Sequence, residues 1–190
     1  MKGTGCTSRS AFLPARPDGS KSAATAATAS TTRENTLPAF EAAKARGATT
    51  VEIDVVLTAD SEPIVLHDLT VDRTTDGHGF AADLSLERVQ SLDAGSRFHP
   101  RFAGTRIPTL AEVLDWAKRD KMGLVLEIKE AEQPDLAVDR VASLLAATSA
   151  LDRVVVISFD NVVLKRAVER HPGFEPRPSP TLATQISSES

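Results

Sequence analysis

One cysteine, Cys6, stands among 190 residues, which excludes an intrachain disulfide and any cysteine-based metal cluster. A bound metal must therefore be held by oxygen or histidine. Tyrosine is absent and aromatic residues make up 4% of the chain, too few for an extensive surface on which bases or sugar rings could stack. A net charge of −4 gives no general attraction for nucleic acid. No apolar run reaches the roughly 18 residues of a spanning helix, so no transmembrane segment is expected. What is there is ordinary for one soluble globular domain: 41% hydrophobic and 25% charged residues, enough to bury a core.

The charge is unevenly spread. Residues 1–33 hold five basic residues (Lys2, Arg9, Arg16, Lys21, Arg33) against one acid, Asp18, a local charge of +4 that leaves −8 on residues 34–190. This leader has no valine or isoleucine, and its tract SAATAATASTT at 22–32 is of low complexity, so it reads as disordered. Ala11, Phe12 and Leu13 run straight into Pro14, too short for a secretory core, and no amphipathic transit helix is visible. The expected compartment is the cytoplasm. Residues 34–172 form the patterned domain, and 173–190 read as an irregular tail.

From Asn35 onward the pattern is regular. Asn35 or Thr36 can cap a helix with Pro38 in its first turn and Gly47 after its end. Strands are predicted at 50–57 and 63–67. The connection from Thr58 to Glu62 is so short that the two must be antiparallel neighbours. Residues 68–108 form a long segment with little strand character, apart from a short helix near 85–92. Thr109 and Glu112 make a capping box for a helix burying Leu110, Val113, Leu114 and Ala117. A strand at 123–129, a helix from Pro134 to about Ala147 with Leu136, Val141, Leu144 and Leu145 inward, a strand at 154–158 and a helix after Asp160 complete the order. Alternating helices and strands imply a parallel sheet, either an open α/β sheet or a (β/α) barrel.

Two strands carry carboxylates. In VEIDVVL, Glu52 and Asp54 share one face and Val51, Ile53 and Val55 the other; in LVLEIK, Glu127 and Lys129 share a face opposite Leu126 and Ile128. A polar outer face or a solvated strand end accounts for either strand alone. In a barrel, however, these residues would converge at the mouth, where close carboxylates need a cation between them. Three hard oxygen donors suit Mg²⁺ or Ca²⁺ rather than zinc.

The segments ENTLPAF (34–40), VEIDVVLTAD (51–60), PIVLHD (63–68), DRTTDGHG (72–79), GTRIPTLAEVL (104–114), LEIK (126–129) and ISFD (157–160) together resemble the glycerophosphodiester phosphodiesterase family, of the PLC-like phosphodiesterase superfamily. The resemblance implies an α/β, TIM-type (β/α)-barrel hydrolase that splits a small-molecule glycerophosphodiester into an alcohol and glycerol phosphate, using one divalent cation, Mg²⁺ or Ca²⁺. By that resemblance Glu52, Asp54 and Glu127 are metal ligands, His67 is a catalytic histidine, and Lys129 contacts phosphate. Glu34 and Asn35 line the substrate site. His78, His99 and His171 fall in turns or at a helix end and are expected to be structural or exposed.

The sequence departs from the family pattern in places. A His-Arg-Gly triplet is expected about ten residues before ENT, where this chain reads AATAA; Arg33 stands for a usual proline and Ser61 for a usual turn glycine. With four strands, where a barrel typically takes about 250 residues, the expectation is a partial barrel, truncated or replaced at both ends, with little activity. Two other readings follow: a non-catalytic remnant that still binds metal or phosphate, and a sphingomyelinase D-like phospholipase.

Overall fold

A computed structural model describes residues 34–129, 131–149, 153–171 and 177–178. The leader, the AATAA window and most of the tail lie outside the described residues. The order is α1 (Leu37–Ala45), β1 (Thr50–Leu57), β2 (Pro63–Val65), α2 (Leu86–Gln90), α3 (Leu110–Asp120), β3 (Gly123–Ile128), α4 (Pro134–Thr148), β4 (Val154–Ser158), α5 (Asn161–Arg170) and β5 (Arg177–Pro178).

The strands form a single sheet in the order β2-β1-β3-β4-β5. β1 pairs with β3, β3 with β4 and β4 with β5 in parallel, while β2 is antiparallel to β1 at the edge. The hairpin and the parallel crossovers thus follow the expected pattern, since only a helix-length connection can return a chain to a parallel neighbour. β5 falls in a stretch read from sequence as irregular; two residues with a proline carry too little pattern to reveal a strand.

One face of the sheet is apolar. Val51, Ile53 and Val55 of β1 and Leu124, Leu126 and Ile128 of β3 pack against Phe40, Leu110, Leu114, Trp116, Val138, Val141 and Leu145 from the helices. The α3 stripe is buried as its spacing predicts, and the capping box is complete, with Glu112 N–H donating to Thr109 Oγ1 at 3.2 Å and Thr109 N–H to Glu112 Oε2 at 2.8 Å. On α4 the inward face differs from the expectation. Val141 and Leu145 are buried together with Ala137, Val138 and Ala142, whereas Leu136 and Leu144 are only half-buried.

A second cluster joins Val56, Ile64 and Leu66 to Val71, Val89, Leu92, Ala94 and Ile107, so the long segment after β2 is packed rather than loose. It includes short 3₁₀ helices at Ala81–Asp83 and Pro100–Phe102. The other sheet face carries Glu52 and Asp54 from β1 and Glu127 from β3. Asp54 and Glu127 are register partners in the parallel ladder.

Candidate active site

Asp54 and Glu127 are 8% and 4% exposed, an arrangement that buries two like charges side by side. Lys129, just beyond the end of β3, resolves it: its Nζ lies 2.9 Å from Asp54 Oδ1 and 2.9 Å from Glu127 Oε1. Strand alternation sends Lys129 to the Glu127 side, as the sequence implies. Asn35 completes the Asp54 shell, its Nδ2 donating to Asp54 Oδ2 at 2.8 Å. Asn35 has φ 55, a left-handed conformation that asparagine tolerates, and this turn brings its side chain back to β1. It does not cap α1, whose N-cap Thr36 makes no side-chain cap bond.

Burial pushes the Glu52 carboxyl up from its ordinary value, reinforced by the charge of Asp54. Glu127 is also pushed up by burial, against the opposing pull of Lys129. Burial disfavours the Lys129 ammonium, but its bonds to Asp54 and Glu127 outweigh that and leave it raised. Among the described residues the Glu52 carboxylate makes no side-chain hydrogen bond or ion pair. No three or more His, Cys, Asp or Glu side chains among the described residues stand together as a ready metal cage, and Lys129 bridges two of the carboxylates. The donor set nonetheless fits a hard cation: three carboxylates, Glu52, Asp54 and Glu127, with Lys129 carry a formal −2.

His67 follows the end of β2, which stops at Val65, shorter than the predicted strand. Its side chain is 54% exposed and its Nδ1 lies 2.7 Å from Asp68 Oδ1. His67, Glu127 and Lys129 line one open groove of about 860 Å³, which Phe159 and Asp160 close on the β4 side. An apolar pocket of about 430 Å³ adjoins it, sharing Leu69, Lys129 and Ala131. Glu34 and Asn35 meet His67 around a small recess. Of the residues singled out by sequence, His67, Glu127 and Lys129 share the groove, Asp54 bonds Lys129 and Asn35, and Glu34 and Asn35 meet His67 at the recess, while Glu52 lines neither.

One residue, Arg73, escaped the sequence reading. Arg73 donates from Nε to Asp68 Oδ2 at 2.6 Å and from one Nη to Asp68 Oδ1 at 3.0 Å, and the same Nη pairs with Glu34. The signal lay in DRTTDG, where a basic residue follows the His67-Asp68 pair by a short turn. The arginine bonds hold the Asp68 carboxyl at about 2 and are the main cause of that shift. The remaining histidines are peripheral: His78 pairs with Asp72, His99 Nδ1 accepts from Arg101 N–H, and His171 bonds Asp139.

A sequence model of the Glycerophosphoryl diester phosphodiesterase family matches residues 19–184, reaching beyond Glu34 on one side and Pro172 on the other. The chain is 40% identical over 134 residues to the glycerophosphodiester phosphodiesterase of Caldanaerobacter subterraneus, covering 70% of this chain and 55% of that protein. Among solved structures, the glycerophosphodiester phosphodiesterase of Agrobacterium tumefaciens overlays with a TM-score of 0.70 at 30% identity, covering 78% of this chain and 61% of that one. A phosphodiesterase of Oleispira antarctica, solved in complex with the product sn-glycerol-3-phosphate, gives a TM-score of 0.72 at 32% identity over 77% of this chain and 60% of its own. The chain thus spans somewhat over half the length of these relatives, and its α/β sheet corresponds to part of their TIM barrel. With the carboxylate strands, the His67 corner and the family match lying in the same stretch of sequence, the chain belongs to the glycerophosphoryl diester phosphodiesterase family.

Proposed function

We propose that this site hydrolyses a glycerophosphodiester to an alcohol and glycerol phosphate, with Glu52, Asp54 and Glu127 holding one divalent cation, Mg²⁺ or Ca²⁺. The observation that carries the reading is the Lys129 ammonium 2.9 Å from both Asp54 and Glu127, in the same groove as His67. A phosphodiester is a monoanion that repels nucleophiles, so a site for it needs concentrated positive charge beside a proton-transfer group. The formal −2 of the four charged groups matches a divalent ion. When bound, that ion supplies Lewis-acid polarisation of the phosphoryl oxygens. Lys129 offers an ammonium to the phosphate, His67 moves a proton at its free ring nitrogen, and Glu34 and Asn35 shape the adjoining wall. The product-bound phosphodiesterase of Oleispira antarctica supports the same choice of substrate.

The experiment is hydrolysis of glycerophosphocholine by the purified chain with Mg²⁺ or Ca²⁺, alongside calorimetric cation binding. The expected result is cation binding that Glu127→Gln abolishes, with hydrolysis about 10²–10⁴-fold slower than a site with a full acid–base pair, since His67 is the only histidine among the described residues lining the groove. Cation binding with no hydrolysis at all supports a binding remnant instead. Hydrolysis of sphingomyelin in preference to glycerophosphocholine supports the phospholipase reading. Hydrolysis unaffected by chelation sinks the metal assignment.

A further inference from the structure

The His67 corner holds more order than a surface histidine requires. Its neighbour Asp68 is gripped by Arg73 through two donors, Nε to Oδ2 at 2.6 Å and Nη to Oδ1 at 3.0 Å, and the same guanidinium reaches Glu34. An exposed ion pair by itself counts for little. This one differs in geometry, because a planar fork on both carboxylate oxygens fixes the carboxylate in space rather than merely attracting it. Glu34, at the start of the ENT segment, anchors the far side of the guanidinium from 39 positions away. Two parts of the chain next to His67 are thereby tied together.

The proton assignment follows from this geometry. Asp68, held at about 2, is an ionised acceptor and has no hydrogen to give. The 2.7 Å contact from His67 Nδ1 to Asp68 Oδ1 therefore places the hydrogen on Nδ1. Nε2 is left with its lone pair free, on a ring that lines the groove with Glu127 and Lys129. The charged groups around the ring are Asp68 on its own segment, Arg73 and Glu34 behind it, Glu127 and Lys129 across the groove, and Glu52 from β1. Among the described residues, only Asp68 bonds Nδ1.

We infer that Asp68 is the positioning residue of His67, selecting the ring form in which Nε2 faces substrate, and that Arg73, braced by Glu34, holds Asp68 for that task. This deepens the phosphodiesterase reading and rests on it for the role of Nε2, although the ring form itself can be measured without turnover. An asparagine cannot replace the aspartate. It has one acceptor oxygen, so either the amide NH₂ meets the arginine donors or it turns toward Nδ1 and reverses the tautomer.

The test is ¹⁵N NMR of the full-length chain with labelled histidine, at a pH where the ring is neutral. The wild type is expected to show His67 protonated at Nδ1, and Asp68→Asn to move the population toward the Nε2–H form. Arg73→Lys, which keeps the charge and removes the fork, should blur the preference in the same direction; it also carries the test should Asp68→Asn fail to fold. Asp72→Asn, which faces His78 instead, should leave His67 unchanged. A wild-type His67 protonated at Nε2, or a tautomer indifferent to both substitutions, overturns the proposal. If the wild type hydrolyses glycerophosphocholine, Asp68→Asn should lower kcat with KM unchanged, by up to about 10⁴-fold, the loss seen when a carboxylate behind a catalytic histidine becomes an amide. A change in KM alone overturns it. An Nδ1-protonated His67 that depends on Asp68 in a chain without hydrolysis supports Asp68 and sinks the phosphodiesterase reading.

Discussion

At the scale of single residues, Lys129 is the counterion on which the buried carboxylates depend. Removing one partner of a buried charge pair leaves the other uncompensated, at a cost of about 3–5 kcal/mol. Lys129→Met is therefore expected to lower the urea unfolding free energy by about that amount at neutral pH, with Mg²⁺ or Ca²⁺ restoring part of it. The loss should shrink as the pH falls, because Glu127, already pushed up by burial, becomes neutral and no longer needs a partner. Asp93 behaves in the opposite sense. Its carboxylate accepts from the backbone N–H groups of Gly95, Ser96 and Gly104, which hold it at about 2, below its ordinary 3.8. A carboxyl depressed in the folded state stabilises above its unfolded value and loses that contribution as pH falls through the folded one. Asp93→Asn should thus be less stable than wild type at pH 5, by about 1–3 kcal/mol, and the gap should close between about pH 4 and pH 2 in parallel denaturation curves.

At the scale of elements, the turn joining β1 and β2 shows a mismatch between residue and backbone. Ser61 has φ 63, a left-handed conformation in which a side chain costs about 1 kcal/mol and a glycine costs almost nothing. The turn is kept by a 2.9 Å bond from Ser61 N–H to Thr58 O and by Arg140 of α4, which donates from Nε to Ser61 O at 2.8 Å and pairs with Glu62. Ser61→Gly should raise stability by roughly 0.5–1 kcal/mol in urea denaturation, with the hairpin register unchanged. A decrease would show that the Ser61 hydroxyl contributes something the backbone bonds do not.

At the scale of the whole molecule, the described chain has two apolar clusters, one between sheet and helices and one under the segment after β2. The first is much the larger and includes β1, β3 and four helices. Native-state hydrogen exchange should separate them: amides of β1 and β3 are expected to open only with global unfolding, those of 69–107 at lower free energy. Equal protection throughout would mean one cooperative unit. The sequence revealed what alternation and capping encode, namely the hairpin, the α3 helix and the carboxylate faces of β1 and β3. It concealed what depends on contacts distant in the chain. Arg73 could not be joined to Glu34 from spacing alone, the choice between Asn35 and Thr36 as the cap of α1 rested on the turn that aims the Asn35 amide at Asp54, and the α4 face turned on small alanines that carry little hydrophobic signal.

The pairing of Asp54 with Glu127 on one rung of a parallel ladder has a further consequence. Adjacent strands are held about 4.8 Å apart by their hydrogen bonds, so the gap between the two carboxylates is set by the backbone and side-chain length, with no loop able to adjust it. Mg²⁺ and Ca²⁺ differ by only a few tenths of an ångström in their bond lengths to oxygen, about 2.1 against 2.4 Å. For a cation held as proposed, this rung would select ionic radius, and exchanging the lengths of its two acids, Asp54→Glu with Glu127→Asp, should shift ion preference while loop substitutions leave it untouched.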